Sequence, residues 1–236
     1  MIGQSAKCGI SASTLKIIAI IGMTLDHIGS MYRSQLPFPA VCALYALGGL
    51  TFPIMAYLLG EGYRHTSNFK KYATRLLIFA CLAELPFRLF LNSNRGNVLF
   101  TLFLGLLVLY VYEHKSQELF IVAFIGGTIV STFFDWGGMG VPMIVIYYVV
   151  KNRLSRVVLP YLLPAFTILA EAVVHTIQNH NLAALPGILY VGVGCTLTIP
   201  LLLNYNGKKG KSMKYFFYIY YPLHILVLGI VGKIVF

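Results

Sequence analysis

Apolar runs of membrane-crossing length follow one another through almost the whole chain, and short loops between them carry most of its charge. A helix that spans the ~30 Å hydrocarbon core needs roughly 20 mostly apolar residues. Candidate segments cover 15–32, 40–62, 72–91, 98–113, 118–134, 138–150, 157–175, 184–203 and 215–235. Charged residues are 11% of the chain, against about 25% in soluble domains, and mean hydropathy is +0.78. The pattern describes an all-α, polytopic helical integral membrane protein forming a single domain over 1–236, with about nine transmembrane helices. Segment 138–150 is the weak one. Gly137, Gly138 and Pro142 interrupt it, so segments five and six are expected to form a partial hairpin.

The net charge of +11 would suit nucleic acid only if the basic residues formed an extended face; here they sit in short loops. Enrichment of Lys and Arg in cytoplasmic loops is how membrane proteins set their orientation. With the N-terminus inside, every Lys and Arg falls on the cytoplasmic side except Arg33, Arg88, Arg95 and Lys233. The N-terminus is therefore expected in the cytoplasm and the C-terminus outside. The stretch before Thr14 has Lys7 but no apolar core and no small-residue cleavage site, so it reads as a retained tail. Cys8, Cys42, Cys81 and Cys195 show no CxxC or ligand spacing, and no metal or disulfide is assigned.

Polar residues inside the apolar runs are the candidates for function, because an unpaired charge in hydrocarbon costs at least a few kcal/mol. Asp26-His27 lies about 16–18 Å from the inner end of the first segment at ~1.5 Å per residue. Glu84 is about as deep in the third, and His224 is roughly 13 Å into the last, by the same rise. Together they predict one polar layer near the midplane. Adjacent residues on a helix diverge by about 100°, so Asp26 and His27 cannot both aim at one point. His27 is the better reactive group, since an imidazole titrates near neutrality and serves as base, acid or nucleophile. A pair that only hydrogen-bonds helices together is the alternative.

Glu84 and Arg88, four residues apart, can neutralise each other as a structural ion pair or as a substrate-orienting one. Pro86 between them frees backbone carbonyls that could line a cavity. In Tyr221-Pro222-Leu223-His224 the proline is expected to interrupt the helix beside Tyr221 and His224, as at many midplane sites. At the inner face, Glu61, Arg64, His65, Lys70, Lys71 and Arg75 cluster beside Gly60 and Gly62. Such a cluster suits cofactor phosphates, or simply meets anionic lipid and fixes topology. Asp135, Trp136, Glu171, His175 and His180 mark the far face, where interfacial anchoring is one reading and an acceptor approach another. No Ser-His-Asp spacing, metal-ligand pair, Walker loop or nucleotide fingerprint is present.

Leu15–Ile20 leading to Met23-Thr24-Leu25-Asp26-His27-Ile28-Gly29, the run Leu47–Thr66, Lys71-Tyr72 through Arg75-Leu76, Ala83–Phe87 and Asn97–Leu102 together resemble the TraX family. The likeness is strongest over about 14–113, returns at Tyr221–His224, and is one of pattern over 114–210. TraX-like proteins are bacterial inner-membrane proteins, named for a conjugation protein that N-acetylates the pilin amino terminus. They look distantly akin to transmembrane acyltransferases such as heparan-α-glucosaminide N-acetyltransferase and the acyltransferase-3 type. The resemblance implies a multi-pass membrane acetyltransferase that takes acetyl-CoA from the cytosol. Its acceptor is a peptide or protein amine, or a glycan, and no metal or nucleic acid takes part. His27 would act as base or transient acyl carrier with Asp26 fixing its tautomer. His224, Tyr221 and the Glu84–Arg88 pair would position the acceptor or the oxyanion. Glu61, Arg64, His65, Lys70, Lys71 and Arg75 would hold the donor's phosphates. A proton-coupled transporter or flippase using the same polar layer is the alternative, and an assembly partner without chemistry a third.

Overall fold

The computed structural model describes residues 9–91, 93–179 and 182–235. Lys7, Cys8 and His180, and the side chains of Glu171 and Lys214, lie outside the described part.

The first helix, α1 (Ala12–Met31), starts where Ser11 is extended and its Oγ accepts from the Thr14 N–H, satisfying one of the helix's unpaired donors. The next apolar run divides into α2 (Phe38–Gly48) and α3 (Thr51–Arg64), with Gly49 and Leu50 between them. Then follow α4 (Phe69–Leu91), α5 (Val98–His114), α6 (Gln117–Ser131), α7 (Gly137–Val149) and α8 (Arg153–Asn179). A last broken run holds α9 (Leu185–Leu189), a π-helical turn Tyr190–Cys195 and α10 (Thr196–Leu203), before the closing helix α11 (Lys214–Val235).

Five stretches are long and apolar enough to cross a membrane: Ala12–Met31, Phe38–Arg64, Arg153–His175, Leu185–Leu203 and Tyr215–Val235. Helices α5, α6 and α7 are apolar but shorter. Helix α4 has 23 residues, and its charges at Lys70, Lys71, Arg75, Glu84 and Arg88 set it apart from the purely apolar spans. The apolar residues left outside face lipid, with Phe166 79%, Ile234 78% and Leu85 67% exposed. The protein is a multi-pass helical membrane protein.

One feature differs from the sequence reading: Pro222 does not interrupt α11, which runs on as a helix through it. Pro86 likewise lies inside a continuous α4, and Glu84 and Arg88 beside it line no cavity. Helices α6 and α7 pair as a hairpin, and at ~1.5 Å per residue their 15 and 13 residues reach only about 20–22 Å.

The helix ends gather at two poles. At one, Ile10 bridges Tyr205, Arg153 reaches the carbonyls of Leu203 and Tyr205, and Arg64 that of Tyr148. At the other, Gly96 bridges Phe134 and Arg33 donates to the Ala183 carbonyl at 3.2 Å. Helices α1 and α11 lie side by side and run the same way, joined in register by Thr24–Tyr220, His27–His224 and Tyr32 to the Leu228 carbonyl. Ala12 and Val235 therefore lie at opposite poles.

Asn97, fully buried, fixes the start of α5. Its Oδ1 accepts from the Leu99 N–H at 3.0 Å, and its Nδ2 donates to the Ala80 carbonyl and to Glu84 Oε2, both at 2.8 Å. Its backbone N–H also donates to Glu84 Oε2 at 3.0 Å, while Glu84 Oε1 accepts from Arg88 Nε at 2.5 Å. Glu84 thus ties α4 to α5. Asn97→Ala removes the cap (~1 kcal/mol) and a bond to a charged group (~1.5–3 kcal/mol). Unfolding of the micellar protein should show a loss of about 2–4 kcal/mol; an unchanged midpoint would contradict this anchoring role.

Candidate active site

His27 is 7% exposed on α1 and His224 is 6% exposed on α11. His27 Nδ1 and His224 Nε2 are 2.7 Å apart, and the rings are within 6° of parallel with centroids 4.9 Å apart. That separation equals the short N–N distance plus the two ring radii in line with it. The imidazoles therefore meet edge to edge in a common plane. One nitrogen of that contact must carry the proton, and the other end of His224 decides which. His224 Nδ1 is 2.9 Å from the Tyr220 carbonyl, which can only accept, so His224 Nδ1 is the protonated nitrogen. In the neutral ring Nε2 is then the acceptor, and His27 Nδ1–H is the donor. His27 Nε2 is left as a free base. Tyr220 stacks on His224 at 5.0 Å, and Tyr221 stands edge-on to His27 at 6.2 Å.

A small cavity of about 30 Å³ lies against this dyad. His27 lines it and His224 does not; Asp26, Tyr221, Asp135, Trp136 and Tyr190 complete its polar wall. The Tyr221 hydroxyl is buried; the Val98 backbone N–H is directed at its oxygen, and no acceptor takes its proton. Asp26 can stand here because α2 presents Gly48, where a Cβ would lie 2.6 Å from the Asp26 Cβ. The partner that fixes the His27 tautomer is thus His224, where the sequence reading gave that role to Asp26. Asp26 faces the cavity instead.

Asp135 and Trp136 arrive from the α6–α7 turn, which folds inward. Thr101 Oγ1 donates to the Asp135 carbonyl at 2.5 Å, the Asp135 N–H donates to the Gly96 carbonyl at 2.7 Å, and Asp135 Oδ1 accepts from the Trp136 N–H at 2.9 Å. Trp136 takes a left-handed backbone (φ 65°), uncommon for a residue with a Cβ and frequent at functional sites. Its ring stacks on Phe52 at 4.2 Å. Tyr190 belongs to the π-helical turn, which approaches α2 closely: a Cβ on Gly194 would fall 2.6 Å from the Gly49 Cα.

A second cavity, about 680 Å³, opens among the loops of the basic pole. Met55, Leu102 and Phe217 line both cavities, so the large one ends where the small one begins. Of the inner-face cluster, Glu61, His65 and Arg75 line it, whereas Arg64, Lys70 and Lys71 do not. Arg64 is held by Glu61 at 2.5 Å, and Arg156 stands 3.6 Å from the same carboxylate. Tyr205, in the loop after α10, shares the wall; burial and the nearby Glu61 push its phenol up to about 12, so it remains a neutral donor at pH 7. Glu84 and Arg88 line neither cavity. Sequence reasoning missed the inward placement of Asp135 and Tyr190 and the cavity-facing Lys16, Lys209 and Lys211. Only the Asp-Trp-Gly-Gly run carried a signal, an acid beside two glycines at a hairpin turn. Among the described residues no group of His, Cys, Asp and Glu could hold a metal.

Paired, buried imidazoles beside a small cavity inside a helical bundle define a multi-pass membrane protein with a polar centre in its core. The family model for the TraX protein matches residues 11–232, and the chain belongs to the TraX family. It is 33% identical to a probable fimbrial assembly protein, FimC of serogroup H1, from Dichelobacter nodosus, over 95% of this chain and 97% of that one. An uncharacterized protein of Rickettsia prowazekii (strain Madrid E) is 21% identical over 69% of this chain and 65% of its own. No solved structure matches.

The tautomers can be read directly. In ¹⁵N-histidine-labelled protein, with His27 and His224 assigned by single replacement, both rings should show a protonated Nδ1 and a bare Nε2 at neutral pH. A protonated Nε2 on His27 would contradict the hydrogen-bond direction derived above.

Proposed function

We propose that this protein transfers an acetyl group from cytosolic acetyl-CoA to an amine or hydroxyl acceptor at the membrane or its outer side. The observation that carries the reading is the His27–His224 pair beside a small cavity that shares lining residues with the large cavity of the basic pole. In this reading the basic pole is cytoplasmic by the positive-inside rule. The chain crosses the bacterial inner membrane nine times, with the N-terminus in the cytoplasm and the C-terminus outside. Parallel α1 and α11 support an odd number of crossings.

The thioester reaches the small cavity through the larger one. His27 Nε2 takes the proton from the acceptor as its nitrogen or oxygen attacks the carbonyl carbon. The positive charge that develops on His27 is shared through Nδ1–H with His224 Nε2, so His224 acts as a positioning residue. The Tyr221 hydroxyl, whose proton has no acceptor in the protein, donates to the oxyanion. Collapse breaks the carbon–sulfur bond, and the leaving thiolate recovers the proton from His27 Nε2. Asp26 and Asp135 on the same wall favour an acceptor that arrives as an ammonium; one of these carboxylates takes its first proton, and the neutral amine so formed is the group that His27 deprotonates as it attacks. The relative named for fimbrial assembly makes a pilus-subunit amino terminus the first acceptor to try.

Purified protein in nanodiscs should move label from acetyl-CoA to one of a panel of amines, sugars and peptides. His27→Gln should lower transfer by about 10²-fold or more while leaving CoA affinity intact, the size expected of a lost general base. His224→Leu should lower kcat at unchanged KM, and His224→Gln, which restores an acceptor, should recover part of it. Wild-type protein that neither binds acyl-CoA nor transfers label, with His27→Gln indistinguishable from it, would sink the reading. Acyl length is a further check. A water needs roughly 10–15 Å³ by this measure, so the inner cavity admits an acetyl-sized group. Butyryl-CoA, longer by two methylenes, should react about 30-fold slower or worse, at 1–3 kcal/mol per misfitting methylene.

A further inference from the structure

The larger cavity carries a charge imbalance that the inner-face cluster of α3 and α4 does not explain. Lys16, Arg75, Lys209 and Lys211 line it, against the single carboxylate of Glu61. That carboxylate is already taken by Arg64 and Arg156. Lys16 and Lys209 are close enough to repel each other. The Arg75 guanidinium lies 5.8 Å over the Tyr72 ring, and its Nε is buried with no hydrogen-bond partner. Four cations around one space, one with an unspent buried donor, are a site for an anion with several oxygens.

The loop that supplies two of them is shaped in advance. Gly207 (φ 76°) and Gly210 (φ 66°) flank Lys208-Lys209 in the left-handed region that glycine accepts without strain. The first turn of α1 clamps it: the Ala12 N–H donates to the Lys208 carbonyl at 2.9 Å and the Ser13 N–H to the Lys209 carbonyl at 3.1 Å. The Lys211 N–H in turn donates to Ser13 Oγ at 3.2 Å. A side chain at 210 would meet Ser11 Oγ at 2.7 Å, so the close approach itself requires glycine. Lysines on a fixed backbone lose less freedom on binding than lysines on a loose one.

We propose that the Gly207–Lys211 loop, with Lys16 and Arg75, is a phosphate-ester site at the mouth of the channel, filled by the nucleotide phosphates of the acyl donor. The assignment rests on the acyl-CoA reading above and moves phosphate recognition away from Lys70 and Lys71, which are exposed outside the cavity. An anionic lipid headgroup offers the same chemistry, and the two sources are separable.

The test titrates CoA into full-length protein in phosphatidylcholine nanodiscs, for wild type, Lys209→Gln/Lys211→Gln and Lys70→Gln/Lys71→Gln. In parallel, native mass spectrometry counts phosphatidylglycerol retained from mixed micelles. Unfolding midpoints verify that each variant folds. The site predicts that the 209/211 pair weakens CoA about tenfold or more, the loss expected when contacts of ~1.5–3 kcal/mol go, while the 70/71 pair does not. Wild type that ignores CoA but retains phosphatidylglycerol through Lys209 and Lys211 would keep the phosphate site and remove the acyl-donor reading. Wild type that binds CoA with the 209/211 pair unchanged, or with the loss in the 70/71 pair instead, would overturn the site.

Discussion

The hydrogen bond from His27 Nδ1 to His224 Nε2 ties the first helix of the chain to the last. Burying a polar group without a partner costs several kcal/mol in hydrocarbon, so neither imidazole could sit in its helix alone. Each makes the other tolerable, and the Tyr220 carbonyl terminates the chain of donors. The contact leaves His27 Nε2 as the acceptor nitrogen of the pair, on a ring that lines the cavity. Thr24–Tyr220 above and Tyr32–Leu228 below hold the same seam in register. A structure that spends three contacts on aligning two helices around one bare nitrogen has fixed that nitrogen's position and its protonation state together.

The rest of the bundle gives this nitrogen an environment. The inward α6–α7 turn brings Asp135 and Trp136, the π-helical turn brings Tyr190, and α11 brings Tyr221 with a hydroxyl proton that has no acceptor. Gly48 and Gly194 let α1 and the π-helical turn pack against α2 at distances a side chain would forbid. Met55, Leu102 and Phe217 form an apolar neck between this cavity and the basic one. In the acyl-transfer reading, a thioester on a slender arm threads that neck.

Much of the fold was legible because bilayer thickness acts on sequence directly. Every apolar segment predicted from the chain coincides with a helix or a pair of helices broken at Gly49 or at the π-helical turn. The depth argument brought His27 and His224 to one level, since rise per residue is fixed by helix geometry. It did not give Glu84 its partners, because depth says nothing about direction around a helix; Glu84 turns toward Asn97 and away from the cavity. Pro222 misled because a proline inside a long apolar segment removes one backbone hydrogen bond without having to end the helix. Asp135 was hidden by its loop: an acid at a helix end reads as interfacial until the turn is seen to fold inward. Lys209 and Lys211 were read for topology alone, and only the clamp by Ala12 and Ser13 shows that they face a cavity.

The proposed reaction rests on a small number of physical features: the His27–His224 pair, the Tyr221 phenol beside it, a small cavity, and a larger cavity next to it lined with cations. None of these depends on knowing the acceptor. The most direct measurement therefore uses none. Water can take the acceptor's place, so purified protein should slowly release free CoA from acetyl-CoA, followed as thiol appearing over the uncatalysed background. The account predicts that this release disappears in His27→Gln while CoA still binds. Release at the same rate with and without His27 would contradict the claim that this histidine is the base.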